Sequence, residues 1–423
     1  MADQAPTPVM TRGAAVSVAL GSGFSGVSAL VVQLLAARWL TKADNGEFLV
    51  FWSAVFACYA VLMGIQQEVV RGTATVVLDP SRARSRTMPV ALGVGAVVAF
   101  GAGVTWPWWH EMVLPGRALV VAVVALVSLV AFSGHLAAQG ALMGHRRWHI
   151  AAGLSAGEAA VRLVAVGVAL LAAASVDMVE MAVVVSSAVW LVLLVWPAGR
   201  AAASARADVD ARVLARQVAQ ASAATLGTAV LVVGFPTVMR VTVDAQTWKT
   251  SAPLVLAIML TRAGLLMPIQ AFQGAVVSYF LDPARPRAAS LVRLSALVMA
   301  VSVVLAGLAG LLGPWLLGLL RPDYVLSGRL LAALTLAAGV MGLLAVFGSA
   351  ALAVGRHGAY AAGWLTAAGV AWVTLLVTWH LLGLGLEVCS VGALVVGPAA
   401  GMVVHVVAVR QALAHRPPVR PEG

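Results

Sequence analysis

The chain has 423 residues, 61% of them hydrophobic and only 10% charged, with a mean hydropathy of +0.97. Soluble domains carry about 25% charged residues, so this composition excludes a soluble enzyme; because the apolar blocks recur along the whole length, it also excludes a single anchor bearing a soluble domain. The net charge of +11 is accounted for by arginines held against the cytoplasmic leaflet, without nucleic acid.

The first ten residues, MADQAPTPVM, lack the charged n-region and short apolar core of a cleaved signal, so 1–13 is expected to be a disordered tail. Twelve apolar segments follow, at roughly 14–37, 47–68, 88–108, 117–140, 149–174, 180–198, 217–240, 250–278, 289–313, 326–354, 358–383 and 388–410. Each is close to the ~20 residues a helix needs to cross the hydrocarbon core. Segments eight and ten are long enough to imply tilt. The first two meet in a polar stretch, Arg38-Trp39-Leu40-Thr41-Lys42-Ala43-Asp44-Asn45-Gly46-Glu47. A tryptophan and two cations suit headgroup depth there, and Asn45-Gly46 is expected to close the turn. The second segment finishes on Gln66-Gln67-Glu68 and then Arg71, unusually polar for a membrane span. Trp106, Trp108 and Trp109 form an interfacial aromatic belt on this reading, and Pro236, Pro268 and Pro398 mark kinks.

Lysines and arginines fix the expected orientation. Eighteen of the 27 fall in the termini and even-numbered loops, seven in the odd-numbered loops, and Arg162 and Arg262 fall inside spans. The bias places both termini in the cytoplasm. The longest cytoplasmic connection, 199–216, divides the chain into lobes of six helices at 14–198 and 217–410, followed by a cytoplasmic tail at 411–423. Its Ala/Arg spacing suggests a short amphipathic helix at the membrane surface. Small residues opening both AVSVALGSGF and VAQASAATLG hint at an internal repeat, with a site between the lobes.

Catalytic patterns occur here without their structural context. Gly21-Ser22-Gly23-Phe24-Ser25-Gly26 fits a dinucleotide fingerprint but follows no strand, and Gly153-Leu154-Ser155-Ala156-Gly157 lacks the strand-to-helix elbow of a hydrolase. Small residues four apart that let membrane helices approach explain both. Cys58 and Cys389 are far apart and no metal-ligand pattern appears, so no metal, disulfide framework or cofactor is expected.

Ionisable residues within spans are the sharper signal, since an arginine at mid-bilayer costs ~2.5–3.5 kcal/mol on insertion scales. Arg262, in Leu260-Thr261-Arg262-Ala263-Gly264-Leu265-Leu266-Met267-Pro268, has two readings. In one it lines a central cavity and holds an anion such as a pyrophosphate. In the other it bridges carbonyls freed near Pro268 or pairs with an acid. Glu158 and Arg162, four residues apart, share a helix face in the favourable order for an ion pair. That pair either neutralises itself or exchanges: a phosphate takes Arg162 and Glu158 takes a proton. Arg71 and Arg38 close the first helix pair at its two ends. Gln270 and Gln273 are candidates for sugar hydroxyls, with interhelical bonding as the alternative.

The first helix pair resembles that of the polysaccharide-transporter (O-antigen flippase-like) family. The family pattern is an Arg ending helix one, Leu-Gly-Pro-x-x-Tyr-Gly in the turn, and an Arg after helix two. Arg38-Trp39-Leu40, Asn45-Gly46 and Arg71 fit it, while Thr41-Lys42 replace Gly-Pro and Asn45 replaces Tyr. Leu260-Thr261-Arg262 followed by Pro268 is similar to a second family segment, with Ala263 where Pro is frequent. The resemblance implies an all-α integral membrane transporter of the multidrug/oligosaccharidyl-lipid/polysaccharide exporter superfamily. It would have about twelve transmembrane helices in two six-helix lobes and no enzymatic activity. It further implies that a bacterial cytoplasmic-membrane protein flips a polyprenyl-diphosphate-linked oligosaccharide by alternating access, amid membrane lipids and alongside a polysaccharide polymerase or glycosyltransferase. Cavity residues would then come from Arg262, Arg162, Glu158, Arg71, Arg38, Gln270 and Gln273. A drug or cation antiporter of the same superfamily is the alternative. A membrane glycosyltransferase is disfavoured, because the odd-numbered loops offer only isolated acids such as Asp44, Glu111, Asp177 and Glu180.

Overall fold

Thr41 sets the first corner of the structure. Helix α1 (Arg12–Trp39) ends two residues before it and α2 (Lys42–Leu78) begins immediately after. The Thr41 hydroxyl accepts from the Asp44 amide at 3.1 Å and donates to the Asp44 carboxylate at 2.6 Å, a reciprocal N-cap that satisfies an orphan donor of the first turn. Asn45-Gly46 therefore does not close the turn as expected but lies inside the first turns of α2, with Asn45 fully buried. The same helix runs ten residues past its expected end because nothing breaks it before Asp79-Pro80.

The computed structural model describes residues 12–172, 175–271 and 287–414. The expected tails lie almost wholly outside these residues, as do Gln273 and the side chains of Pro268 and Gln270. Beyond α2 come α3 (Thr87–Val104), the short α4 (Trp106–Val113), α5 (Leu119–Gly144) and α6 (Trp148–Leu171). Pro107 in the first turn of α4 ends the third span earlier than expected, and Trp108 stands exposed beside it. Helix α7 (Val176–Val185) tightens to 3₁₀ geometry over Ser186–Val195 and leads into α8 (Pro197–Ala203). Helix α9 (Ala211–Thr228) widens to π geometry over Ala229–Val233, and α10 (Phe235–Thr242) leaves it at a bend of 69°. The one-turn α11 (Ala245–Trp248), α12 (Ala252–Ala271), α13 (Arg287–Leu320), α14 (Gly328–Ala353), α15 (His357–Leu376) and α16 (Leu386–Ala414) complete the chain.

The protein is thus an all-α membrane protein. Among the described residues ten helices are long and apolar enough to cross a bilayer, the bent pair α9–α10 makes an eleventh, and the shorter apolar run Ala252–Leu266 lies where the eighth was expected. In the first half α1 packs on α6, and α2 and α3 pack on α5; in the second α13 packs on α14, and α15 on α16. Serine hydroxyls serve as interhelical bonds along α1, with Ser28 donating to the Ala159 carbonyl at 2.9 Å and Ser25 to the Ser155 carbonyl at 3.2 Å.

The connection between the halves is only partly helical. Residues 205–209 run extended beside 84–87, with Arg84 and Thr87 amides donating to the Ala207 and Ala205 carbonyls and the Ala207 amide to Ser85. Backbone groups that a surface helix over 199–216 would satisfy internally are paired instead with the loop after α2.

Helix α2 is the element common to both halves. It packs on α5 in the first, and on α9, α10 and α12 in the second. Near its middle Gly64 lets the α9 backbone approach so closely that an added Cβ would sit 2.5 Å from the Ser222 amide and 3.0 Å from the Ala221 carbonyl carbon. Gly64→Leu is expected to force this seam apart, at about 1–3 kcal/mol for overpacking, seen as a lower thermal midpoint in detergent. Gly93, with open space around it, provides the control: Gly93→Ala should leave the midpoint in place.

Candidate functional site: a bent helix and two buried arginines

The bend between α9 and α10 removes hydrogen-bond donors from the end of α9. In an unbroken helix the Val232 carbonyl would accept from residue 236, but Pro236 has no N–H. Arg262 of α12 makes good the loss. Its Nη1 donates to the Leu231 carbonyl at 2.9 Å and the Val232 carbonyl at 3.3 Å, and its guanidinium lies 4.8 Å from the centre of the Phe235 ring. The next carbonyl, Val233, accepts from the Ser53 hydroxyl of α2 at 2.8 Å, and Ser53 also meets the Thr237 hydroxyl at 2.9 Å. Arg262 is only 4% exposed, and its Nη2 is without a hydrogen-bond partner among the described residues. Its partners are therefore the Leu231 and Val232 carbonyls, just ahead of the bend at Gly234-Phe235-Pro236, where sequence alone pointed to those near Pro268 or to an acid.

The same α2 turn also meets a second arginine, Arg162 of α6. Arg162 lies over the rings of Trp52 and Phe56, with its guanidinium 5.7 and 5.1 Å from their centres. Its Nη1 donates to Glu158 at 2.7 Å, and Glu158 accepts from the Ser186 hydroxyl at 2.7 Å. Both members of this pair are buried, where a broken pair leaves a costly uncompensated charge. Around it, Tyr59 stacks on Phe132 and donates to Ser128 at 2.8 Å, and buried His135 stacks on Phe132. A polar cluster thus lies inside the first half, of which sequence spacing exposed only Glu158 and Arg162.

Arg71 and Arg38 occupy opposite ends of the helix pair. Arg71 pairs with Glu68 of its own helix at 2.8 Å and reaches Asp208 of the connection at 3.3 Å and Gln217 of α9 at 2.9 Å, which makes it a latch between the halves. Arg38 is exposed at the end of α1 and makes no hydrogen bond or ion pair among the described residues. A small chamber of about 330 Å³ between α1, α2, α5 and α6 is lined by Ser22, Ser25, Gln66, Gln139 and Ser155. Gln139 donates to Ser155 there, and Gln66 approaches the Met143 sulfur at 3.4 Å.

A further charged cluster was not foreseen. Arg117 lies 3.5 Å from Asp177 and 3.3 Å from Glu180, whose side chain is fully buried. Glu47 of α2 lies 3.9 Å from Arg240 of α10, and Arg240 lies over Trp248. At the same end Asn45 donates to the Tyr324 hydroxyl at 2.8 Å, Lys42 to the Asp323 carbonyl at 3.2 Å and Arg321 to the Leu40 carbonyl. Asp244 caps α11, and the amides and hydroxyl it accepts from, those of Thr247 foremost, hold its carboxyl below the usual range. These residues read as loop charges in sequence. The apolar neighbours of Glu180, Val179 and Met181, were the available signal that it is buried.

The arrangement of helices is similar to that of solved MOP superfamily transporters. A multidrug resistance MATE family transporter of that superfamily is similar in both its inward-facing and its outward-facing conformation. The TM-score is 0.67 in each case, at 13% and 12% identity, over 95–96% of this chain and 98–99% of the other. A MOP superfamily transporter from Pyrococcus furiosus is similar at a TM-score of 0.66 and 12% identity, over 96% of this chain and 99% of that one. No protein-family profile matches the chain. Two proteins of Mycobacterium tuberculosis, the uncharacterized Rv1510 and Rv3630, share 34% and 31% identity with it, over 98% and 94% of this chain and 95% and 92% of their own lengths. The chain belongs to the family of these mycobacterial proteins.

If Arg262 stands in for the missing Pro236 amide, Arg262→Ala should lower stability by about 1–3 kcal/mol for each carbonyl left bare. Adding Pro236→Ala, which restores an N–H below Val232, should recover part of that loss. A double-mutant cycle on thermal midpoints in detergent checks this, and strict additivity would refute it.

Proposed function

We propose that this chain is a flippase that carries a polyprenyl-diphosphate-linked oligosaccharide across the bacterial cytoplasmic membrane by alternating access, with both termini in the cytoplasm. The observation that supports this most directly is Arg262. It is a buried guanidinium held only by neutral carbonyls among the described residues, and it retains a donor with no partner. Such a group attracts an anion, and a diphosphate supplies acceptors for charge-assisted bonds. The MOP-superfamily fold supports transport as the activity. The Pyrococcus furiosus neighbour is described as having a binding pocket of reverse polarity that suggests a different function, and a cationic interior is the corresponding reading for this chain. The headgroup would cross between the halves while the hydrocarbon tail stays in the bilayer.

Coupling would run through the buried pair in the first half. When substrate phosphate draws Arg162 away, Glu158 is left with the Ser186 hydroxyl alone, and an uncompensated carboxylate in that setting takes up a proton. A drug or cation antiporter is the second reading, favoured by the multidrug transporters that share the fold and by Glu158 as a buried acid.

The test uses purified protein in liposomes loaded with a labelled lipid-linked oligosaccharide. Wild type should move the headgroup, and Arg262→Ala, shown to be folded by size-exclusion chromatography, should be slower by about tenfold or more. Equal rates in the two proteins would reduce Arg262 to a structural pin. Failure of the wild type to move the lipid, together with uptake of an organic cation by the same liposomes, would favour the antiporter. Glu158→Gln should retain downhill flipping but lose its response to an imposed pH gradient; full gradient-driven transport in that variant would remove the exchange step.

A further inference from the structure

A cavity of about 680 Å³ lies on the seam between α1 of the first half and α12, α13 and α14 of the second. Its size falls within the ~300–1,000 Å³ typical of small-molecule sites, but its chemistry is unusual. Its described lining consists of leucine, alanine and glycine apart from Arg38, Thr261 and Thr335. Both threonine hydroxyls are already used within their own helices, bonded to the Ala257 and Leu331 carbonyls at 2.8 Å. Among the described lining residues Arg38 is left as the polar group with no protein partner, in the last turn of α1 beside exposed Trp39. The cavity opens sideways, since the lining residues Leu312, Leu316 and Leu319 are each about half or more exposed, and in a membrane protein that exposure faces lipid.

A dry slot open to the bilayer, with one free guanidinium at headgroup depth, is complementary to an amphiphile with a long hydrocarbon chain and an anionic head. Two features set it apart from an ordinary annular groove. Its walls belong to both halves, so its width changes with any motion between them. It also shares α12 with the interior cation: Thr261 and Gly264 face the cavity while Arg262, between them in sequence, reaches α9.

We propose that this seam cavity holds the hydrocarbon tail of the polyprenyl phosphate carrier, with Arg38 bound to its phosphate. The inference rests on the flippase reading above, and it adds where the tail stays while the headgroup crosses. Gly264 offers a direct handle, because an added side chain there meets open space and would fill the slot without disturbing the helix packing.

The probe is a polyprenyl phosphate carrying a photoactivatable diazirine on its tail and no glycan, added to the full-length protein in lipid nanodiscs. Labelling is expected on α13, between Leu305 and Leu320. Gly264→Leu and Arg38→Gln should reduce it by about tenfold, and Arg38→Lys should largely restore it. Unlabelled polyprenyl phosphate should compete, and phosphatidylglycerol should not. Equal labelling in all variants, or full competition by phosphatidylglycerol, would overturn the proposal and identify an annular lipid site. Thermal midpoints of the variants separate a filled cavity from a damaged fold. Because the probe has no glycan, this readout is independent of flipping. Specific labelling of a wild type that moves no lipid-linked oligosaccharide would sink the flippase reading and leave the site standing. A Gly264→Leu variant that flips the oligosaccharide at the wild-type rate would overturn the cavity's role and leave the flippase reading standing.

Discussion

A proline without an amide, placed where a membrane helix must bend, makes a demand that the surrounding structure meets. Pro236 takes away a donor, the π widening over Ala229–Val233 re-aims the last carbonyls of α9, and Arg262 and Ser53 receive them from two other helices. In hydrocarbon no water is present to satisfy those carbonyls. The bend therefore ties together α2, α9, α10 and α12. An arginine that would be prohibitive facing lipid is tolerable here because it is surrounded by oxygen acceptors and an aromatic face.

Arg162 and Arg262, both buried, solve the same problem differently. Arg162 is neutralised by a carboxylate on its own helix, and Arg262 is only solvated, by backbone. The first half thus buries a paired charge, and Arg262 in the second is a buried cation with a donor to spare among the described residues. The turn of α2 from Trp52 to Phe56 touches both environments, with its rings against Arg162 and the Ser53 hydroxyl on the Val233 carbonyl next to those Arg262 holds.

Much of this was legible in sequence where a single periodicity controls the outcome. Hydrophobic length gave the helices, and a spacing of four residues gave the Glu158–Arg162 pair. What could not be read depends on tertiary partners. The site of the first turn turned on Thr41 reaching the Asp44 amide, a stronger local determinant than the Asn45-Gly46 pair that composition favoured. The partners of Arg262 lie some thirty residues earlier, at a widening of α9 that leaves no residue signature of its own. Glu180 and Arg240 read as loop charges because they stand at the ends of apolar runs, and only the fold shows that those ends are covered.

Helix α2 has 37 residues, about 55 Å at ~1.5 Å per residue, more than the ~40–45 Å thickness of a whole bilayer. It keeps contact with the second half from one end to the other, through Gly46 and Trp248, Ser53 and Thr237, Gly64 and Ser222, and Arg71 and Gln217. Along α2 and α9 the two halves are therefore joined by one continuous seam. On the side of α1 the halves are instead separated by the leucine-lined cavity against α12, α13 and α14, so the edge of the seam left unfilled by the described residues is the edge that faces the lipid.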